Sequence, residues 1–271
     1  MPALPTDLIE RVGDAMREAS AAEIEPRWNQ LRQGDIRSKS AGELVTVADE
    51  AAERMLTARL RDLTPTIPVV GEEACAAQPE LLRELAGASA WLVDPVDGTS
   101  NFIDGGTDWS VMVALVQEGR TCLSWIWRPL ADRMYVAERG AGAECNGSAI
   151  LRAPPAAGDE SGLRGAVFTR FFDRERAATI ASNSARFGSV VEGSCAGFDY
   201  PALVEGGRDF LLFWRSLPWD HAPGTLLVQE SGGYSRRLDG SDYLPAEESF
   251  GLLAAADEDT WHRARSLLDQ T

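Results

Sequence analysis

The sequence predicts a fold of mixed α+β and α/β character, on three observations. Apolar residues recur at helical spacing near the start, the middle of the chain turns to strand-like runs joined by turn signals, and its last part alternates short strands with helical stretches. With 271 residues, 44% of them hydrophobic, the chain can bury roughly three quarters of its unfolded surface without disulfide or metal staples.

From Leu8 to Trp28 the positions Leu8, Ile9, Val12, Ala15, Met16 and Ala19 form the stripe of an amphipathic helix, which Pro26 should end or kink. Thr46 or Asp49 caps a second helix with Ala51, Ala52, Met55, Leu56 and Leu60 on one face. Ile67 to Val70 reads as a short buried strand closed by Gly71, with Glu72 and Glu73 at its exit. Pro79 opens a short helix, and Ala90 to Val93 is another buried strand, ending on Asp94. Trp109–Val116, Thr121–Trp127 and Arg133–Glu138, joined at Glu118-Gly119 and Arg128-Pro129, form a meander. The stretch Ala153 to Gly162, with Pro154, Pro155 and Gly158, reads as a linker. It divides the chain into an N-terminal α+β domain, 1–153, carrying the acidic loops, and a C-terminal α/β domain, 163–271, closing the site. In the latter, strands at Gly165–Phe171, Ser189–Val191 and Asp209–Trp214 alternate with helices at Asp173–Arg186, Cys195–Glu205 and Ala222–Glu230.

Acidic residues outnumber basic ones 42 to 26, for a formal charge of −16, so neither nucleic acid nor an anionic membrane is an expected partner. Cys75, Cys122, Cys145 and Cys195 form no C-x-x-C pair, and the start carries acids rather than a basic, apolar leader. A reduced cytoplasm is the expected home. Lys39 is the single lysine, which a GC-rich genome would explain on its own.

The most informative segment runs from Trp91 to Phe102. An apolar strand delivers Asp94 and Asp97 to its carboxyl end, where Pro95 and Gly98 turn the chain and Thr99, Ser100 and Asn101 follow. Open α/β sheets bind ligands at that edge, and two carboxylates held so close call for a hard cation between them, for which Mg²⁺ fits best. Glu72 and Glu73 end a second strand, and Trp219-Asp220 opens a helix after a third, so three acidic clusters could converge. Each alone also reads as ordinary structure: Asp97-Gly98 as a turn tip, Glu72 as a loop glutamate, Asp220 as a helix N-cap.

The Asp94–Phe102 segment, the Gly71-Glu72-Glu73 triplet, Trp219-Asp220-His221-Ala222-Pro223-Gly224 and Glu230-Ser231-Gly232-Gly233 resemble the inositol monophosphatase family in order and separation, from Lys39 to Gly233. The resemblance implies a layered α/β/α/β/α sandwich, usually a homodimer, that hydrolyses small phosphate monoesters with two or three Mg²⁺ and is often inhibited by Li⁺. It implies metal ligation by Glu72, Asp94, the carbonyl of Val96, Asp97 and Asp220. It pairs Thr99 with Asp49, in Glu43-Leu44-Val45-Thr46-Val47-Ala48-Asp49, to activate a water, and matches Lys39 to a loop lysine near the metals. The amides of Gly98, Thr99 and Ser100 would cradle phosphate if they begin a helix.

Substrate choice departs from the pattern. Phe213 stands where inositol-hydrolysing members place a Glu, so a different alcohol moiety could meet Trp214 and Arg215; alternatively Phe213 packs in the core and the other two lie elsewhere on the strand. Gly193 and Ser194 match the family's substrate loop with a shift of about one residue. Histidinol phosphate, sugar bisphosphates and 3′-phosphoadenosine 5′-phosphate are the rival substrates. A regulatory protein that keeps the fold, or a store of divalent ions, are the rival classes. A covalent aspartyl phosphate is disfavoured because the second Asp follows at three, not two. A Ser-His-Asp hydrolase is disfavoured because the only histidines are His221, a structural neighbour of Asp220, and His262, at the surface, and no G-x-S-x-G occurs.

Overall fold

The computed structural model describes residues 4–40, 43–156, 160–247 and 249–268. Helix α1 (Leu8–Ala19) continues through two short irregular turns to Arg27, where Pro26 ends it as its fixed φ and missing N–H require. A hairpin, β1 (Ile36–Ser40) with β2 (Glu43–Thr46), leads into α2 (Val47–Leu63). Both expected caps act at its start, since the Thr46 hydroxyl accepts from the Ala48 amide and Asp49 accepts from the Thr46 amide.

Next come β3 (Val69–Gly71), α3 (Glu72–Ala77), a tight helical stretch Pro79–Ala86, β4 (Ser89–Asp97) and α4 (Thr99–Ile103). The meander is β5 (Ser110–Gln117), β6 (Arg120–Arg128) and β7 (Arg133–Glu138), extended by β8 (Gly142–Cys145) and β9 (Ser148–Ile150). Seven strands therefore form one sheet, β3 to β9 in chain order, parallel between β3 and β4 and antiparallel beyond. The second sheet holds β10 (Arg164–Phe168), β11 (Ser189–Glu192), β12 (Phe210–Arg215), β13 (Tyr234–Arg237) and β14 (Phe250–Ala255) in the order β11-β10-β12-β14-β13. Helices α5 (Arg174–Ser184), α6 (Ala196–Val204), α7 (Pro218–Glu230) and α8 (Glu258–Leu268) intervene or follow.

The side-chain period of two in β4 sorts the layers. Trp91 and Val93 face Met16, Ala52 and Leu56 of α1 and α2, whereas Ala90 and Leu92 face Tyr200, Leu203 and Leu226 of α6 and α7. The second sheet covers the far side of α6 and α7 with Leu211, Phe213, Leu252 and Ala254. Its outer face, Phe210, Leu212 and Leu253, packs on Trp261 and Leu267 of α8 and Ile180 of α5. The result is the five-layer α/β/α/β/α sandwich. Sandwiched between two sheets, α7 is buried continuously from His221 to Val228, as a helix apolar all round must be. Its close approach to α6 depends on Gly224, where a Cβ would stand 1.9 Å from the Tyr200 ring. Gly224→Ala should destabilise the fold by about 1–3 kcal/mol through overpacking, read as a lowered thermal midpoint.

Several boundaries differ from expectation. Ile67 belongs to the turn before β3, its amide donating to the Thr64 carbonyl. β4 runs past Pro95 to Asp97, because the register against β5 slips between Asp94 and Asp97 and needs no proline amide there. α7 starts at Pro218 rather than Ala222, with Leu217 as cap and proline in the first turn, so Asp220 lies inside the helix and not at its cap. β8, β9 and β13 are too short or too polar to register as strands by pattern, and β14, an apolar run of six residues broken by Gly251, was not anticipated. Residues 157–159 of the expected linker lie outside the described residues. Among the described residues no helix is long and apolar enough to cross a membrane.

Candidate metal and phosphate site

The alternation that points Ala90 and Leu92 at the central helices carries Asp94 to the same face, 2% exposed, beneath the first turn of α7. Its Oδ1 accepts from the Val96 amide at 3.0 Å, fixing the bend around Pro95. Asp220 reaches down from α7, and Glu72 comes from the first position of α3. One carboxylate oxygen from each of Glu72, Asp94 and Asp220 lies within 4.8 Å of the others. Burial, then the neighbouring Glu72 carboxylate, holds Asp94 and Asp220 well above the ordinary carboxylate range. An all-oxygen set of crowded carboxylates is the donor chemistry of a hard divalent cation, so these residues fit Mg²⁺.

Asp97 stands beside this trio, outside the 4.8 Å set. Its Oδ2 accepts from the Gly197 amide at 2.6 Å, at the start of α6, and from Ser110 Oγ at 3.4 Å. Gly197 must be glycine for this approach, since a Cβ would fall 1.8 Å from Ser110 Oγ. Gly98 has φ +86°, and a Cβ there would stand 2.7 Å from the Asp108 carbonyl, so glycine alone lets the chain leave β4 and start α4 at Thr99. Gly98, Thr99 and Ser100 accordingly open a helix, as phosphate cradling required, and line the same cleft as the carboxylates.

Thr99 Oγ1 lies 3.1 Å from Asp49 Oδ1 and 3.0 Å from the Val96 carbonyl; with one proton it can donate to one of them at a time. Asp49 is fully buried, and that burial pushes it up to about 6 against the pull of its two bonds from Thr46. Lys39 Nζ donates to Glu72 at 2.7 Å and to Glu73 at 2.6 Å. Burial alone would lower the lysine, but these two carboxylates outweigh it and raise it.

The cleft, about 350 Å³, is acidic at one end and aromatic at the other. Gly193 and Ser194 are both on its wall, Ser194 Oγ donating to Asp108 at 3.0 Å. Phe213 meets both expectations: it is 3% exposed and stacked between Phe168 and Tyr200 at 4.3 and 5.1 Å, yet it also lines the cleft. Trp214 and Arg215 face the cleft too; the Arg215 guanidinium lies 4.0 Å over the Phe171 ring and pairs with Glu43 of β2. His221 is buried and pushed down to about 3 by that burial, hence neutral. Its Nε2 lies 3.1 Å from the Arg215 carbonyl and must donate there, leaving Nδ1 to accept from the Tyr200 hydroxyl at 3.0 Å. It is the structural neighbour expected, and the His262 side chain is exposed.

Sequence reasoning missed Glu53 and Phe171. Glu53, 6% exposed, accepts from the Glu73 and Ala74 amides at 2.7 and 2.9 Å and so caps α3 and aims Glu72. Gly71 leaves it room, a Cβ there falling 2.3 Å from the Glu53 carboxylate. The signal was an acid standing in the apolar stripe of α2, between Ala52 and Leu56. Glu53→Gln keeps one acceptor and costs the other, so it should destabilise by about 1–3 kcal/mol and weaken Mg²⁺ binding, read by denaturant titration and calorimetry.

Fold and cleft together define a layered sandwich with a carboxylate site suited to a divalent metal between its two sheets. The chain belongs to the inositol monophosphatase family, whose sequence model matches residues 7–269. Members of this family are metal-dependent phosphatases, generally using Mg²⁺. The chain is 31% identical over 223 residues, 79% of each chain, to an inositol-1-monophosphatase of Rhizobium meliloti. It is 33% identical over 219 residues, 76% of each chain, to the Nus factor SuhB of Pseudomonas aeruginosa. The crystal structure of extragenic suppressor protein suhB from Bartonella henselae superposes with a TM-score of 0.83 over 98% of this chain and 99% of that one, at 21% identity.

Proposed function

We propose that this protein hydrolyses a small phosphate monoester with Mg²⁺, two or three ions being held by Glu72, Asp94, the Val96 carbonyl, Asp97 and Asp220. The observation that carries the reading is the meeting of Glu72, Asp94 and Asp220 within 4.8 Å beside a hydroxyl already hydrogen-bonded to a buried carboxylate. When bound, Mg²⁺ supplies a lowered pKa to water and positive charge to a dianion that this acidic chain would otherwise repel. Thr99 orients the attacking water by accepting its proton while donating to Asp49, which holds the proton away from the phosphate. The amides of Gly98, Thr99 and Ser100 bind the phosphate oxygens. No side chain is needed as nucleophile.

The alcohol end of the substrate meets Phe213, Trp214 and Arg215, with Gly193 and Ser194 opposite, and Lys39 steadies Glu72 from behind. A phenyl ring cannot accept from a ring hydroxyl, which argues for an alcohol other than inositol, histidinol phosphate, a sugar bisphosphate or 3′-phosphoadenosine 5′-phosphate being the alternatives. A phosphate-release panel over these four substrate classes, with and without Mg²⁺ and Li⁺, tests the reading; no release from any ester would overturn it. The same reading includes Li⁺ inhibition, two domains meeting between 153 and 163, a homodimer and a cytoplasmic setting. A regulatory role is favoured by the similarity to a Nus factor. It is tested by capture of partners with Asp220→Asn, whose binding should survive loss of the metal.

A further inference from the structure

A second cleft, of about 190 Å³, opens between the start of β6, Arg139 just past β7, the later turns of α7 and the edge strand β13. Its volume is several times the roughly 30 Å³ that a liquid water occupies. Three guanidiniums line it, Arg120, Arg139 and Arg236, against the single carboxylate of Asp242. In a chain of charge −16 this is an unusual local excess of positive charge.

Asp242 pairs with Arg120 at 3.2 Å and with Arg236 at 2.5 Å, so a protein carboxylate already shows where an anion is attracted. Arg139 makes no ion pair among the described residues; its Nε donates to the Thr121 carbonyl at 2.7 Å, which fixes the fork and leaves its terminal nitrogens to the cleft. Ser235 carries the independent observation. It is 1% exposed, lines the cleft, and its hydroxyl has no hydrogen-bond partner among the described residues. Its register partner on β14 is Ala254, whose side chain packs in the core around α7, so Ser235 stands on the α7 side of its sheet. Tyr243, on the same wall, likewise has a hydroxyl without a partner among the described residues. Buried donors left unpaired cost free energy, and an acceptor-only ligand among them and the arginines would satisfy both at once.

We propose that this cleft is a binding site for a small doubly charged oxyanion of the inorganic phosphate class, separate from the acidic site. Guanidinium forks match phosphate oxygens two at a time, and neutral hydroxyls complete a tetrahedral set of donors. The proposal rests on this cleft alone and stands whatever the acidic site hydrolyses.

Isothermal titration of the full chain with inorganic phosphate, in EDTA and low salt, tests it. Chelation leaves the carboxylate site repulsive to phosphate and isolates the second cleft. The expected result is one phosphate per chain, weakened at least tenfold in Arg139→Gln/Arg236→Gln and several-fold in Ser235→Ala. Glu72→Gln, in the acidic site, should leave it unchanged, and Asp242→Asn, which removes the competing carboxylate, should tighten it. Melting curves of the apo variants confirm that each is folded. No binding to the chelated wild-type protein would overturn the proposal, as would equal affinity in the double arginine variant.

Discussion

Asp220→Asn and Asp94→Asn each lower phosphate release by about a thousandfold or more in kcat, while the metal-free variants melt at higher temperature than metal-free wild type. The first half follows from removing a charge that helps hold the metals, whose stabilisation of the transferring phosphate is worth several kcal/mol at 1.36 kcal/mol per tenfold. The second follows from the crowding: burial and the Glu72 charge raise both aspartates, so without a cation each ionised carboxylate opposes folding. An amide of the same shape removes that opposition. Unchanged kcat in both variants would remove these residues from the chemistry.

The same crowding sets a pH dependence for the chelated protein. Asp49 and Glu53 are pushed up to about 6 and Glu73 to about 8, in each case first by burial. A carboxyl raised in the folded state contributes stability that is complete below its unfolded value, near 4, and is lost as pH rises through its folded value. The thermal midpoint in EDTA should therefore fall between about pH 5 and 8. Saturating Mg²⁺ should restore most of the loss at the upper end, which differential scanning calorimetry at several pH values measures.

Thr99→Val and Asp49→Asn should each reduce kcat by about 10²- to 10⁴-fold, the usual worth of a positioned proton acceptor, with little change in KM. Thr99→Ser keeps the hydroxyl and should retain most of the activity. If Asp49 holds the proton, wild-type kcat/KM declines toward low pH as its carboxylate protonates, and Asp49→Asn loses that limb along with the rate. A hydroxyl merely filling space would leave Thr99→Val active.

The five layers were legible wherever an element is a clear apolar run or stripe. β4 to β7 announce themselves as apolar runs, β4 to β6 buried on both faces, and α2 by the helical spacing of Ala52, Leu56 and Leu60. β13 was not legible, since Tyr234-Ser235-Arg236-Arg237 has no apolar face and pairs at a sheet edge. Of the site, Asp94, Asp97 and Asp220 were readable as acids at strand or helix ends, and the resemblance supplied Thr99 with Asp49. That Asp97 commits one oxygen to the Gly197 amide was not readable, because a hundred residues separate the pair and no local pattern joins them. Glu53 was hidden for the opposite reason: its own helix explains it as well as its function does.

Enclosure of α7 between the sheets divides the acidic trio by how each member is held. Asp220 rides on a helix whose amides can meet deuterium only when both sheets part, so those amides should be among the slowest to exchange. Glu72 depends on a short helix pinned by one glutamate and one lysine, Lys39 on an outlying hairpin, and amides there should exchange far sooner. A metal arriving at this cleft would thus find one rigid jaw and one adjustable jaw, and it is on the adjustable side that binding should leave its mark in exchange.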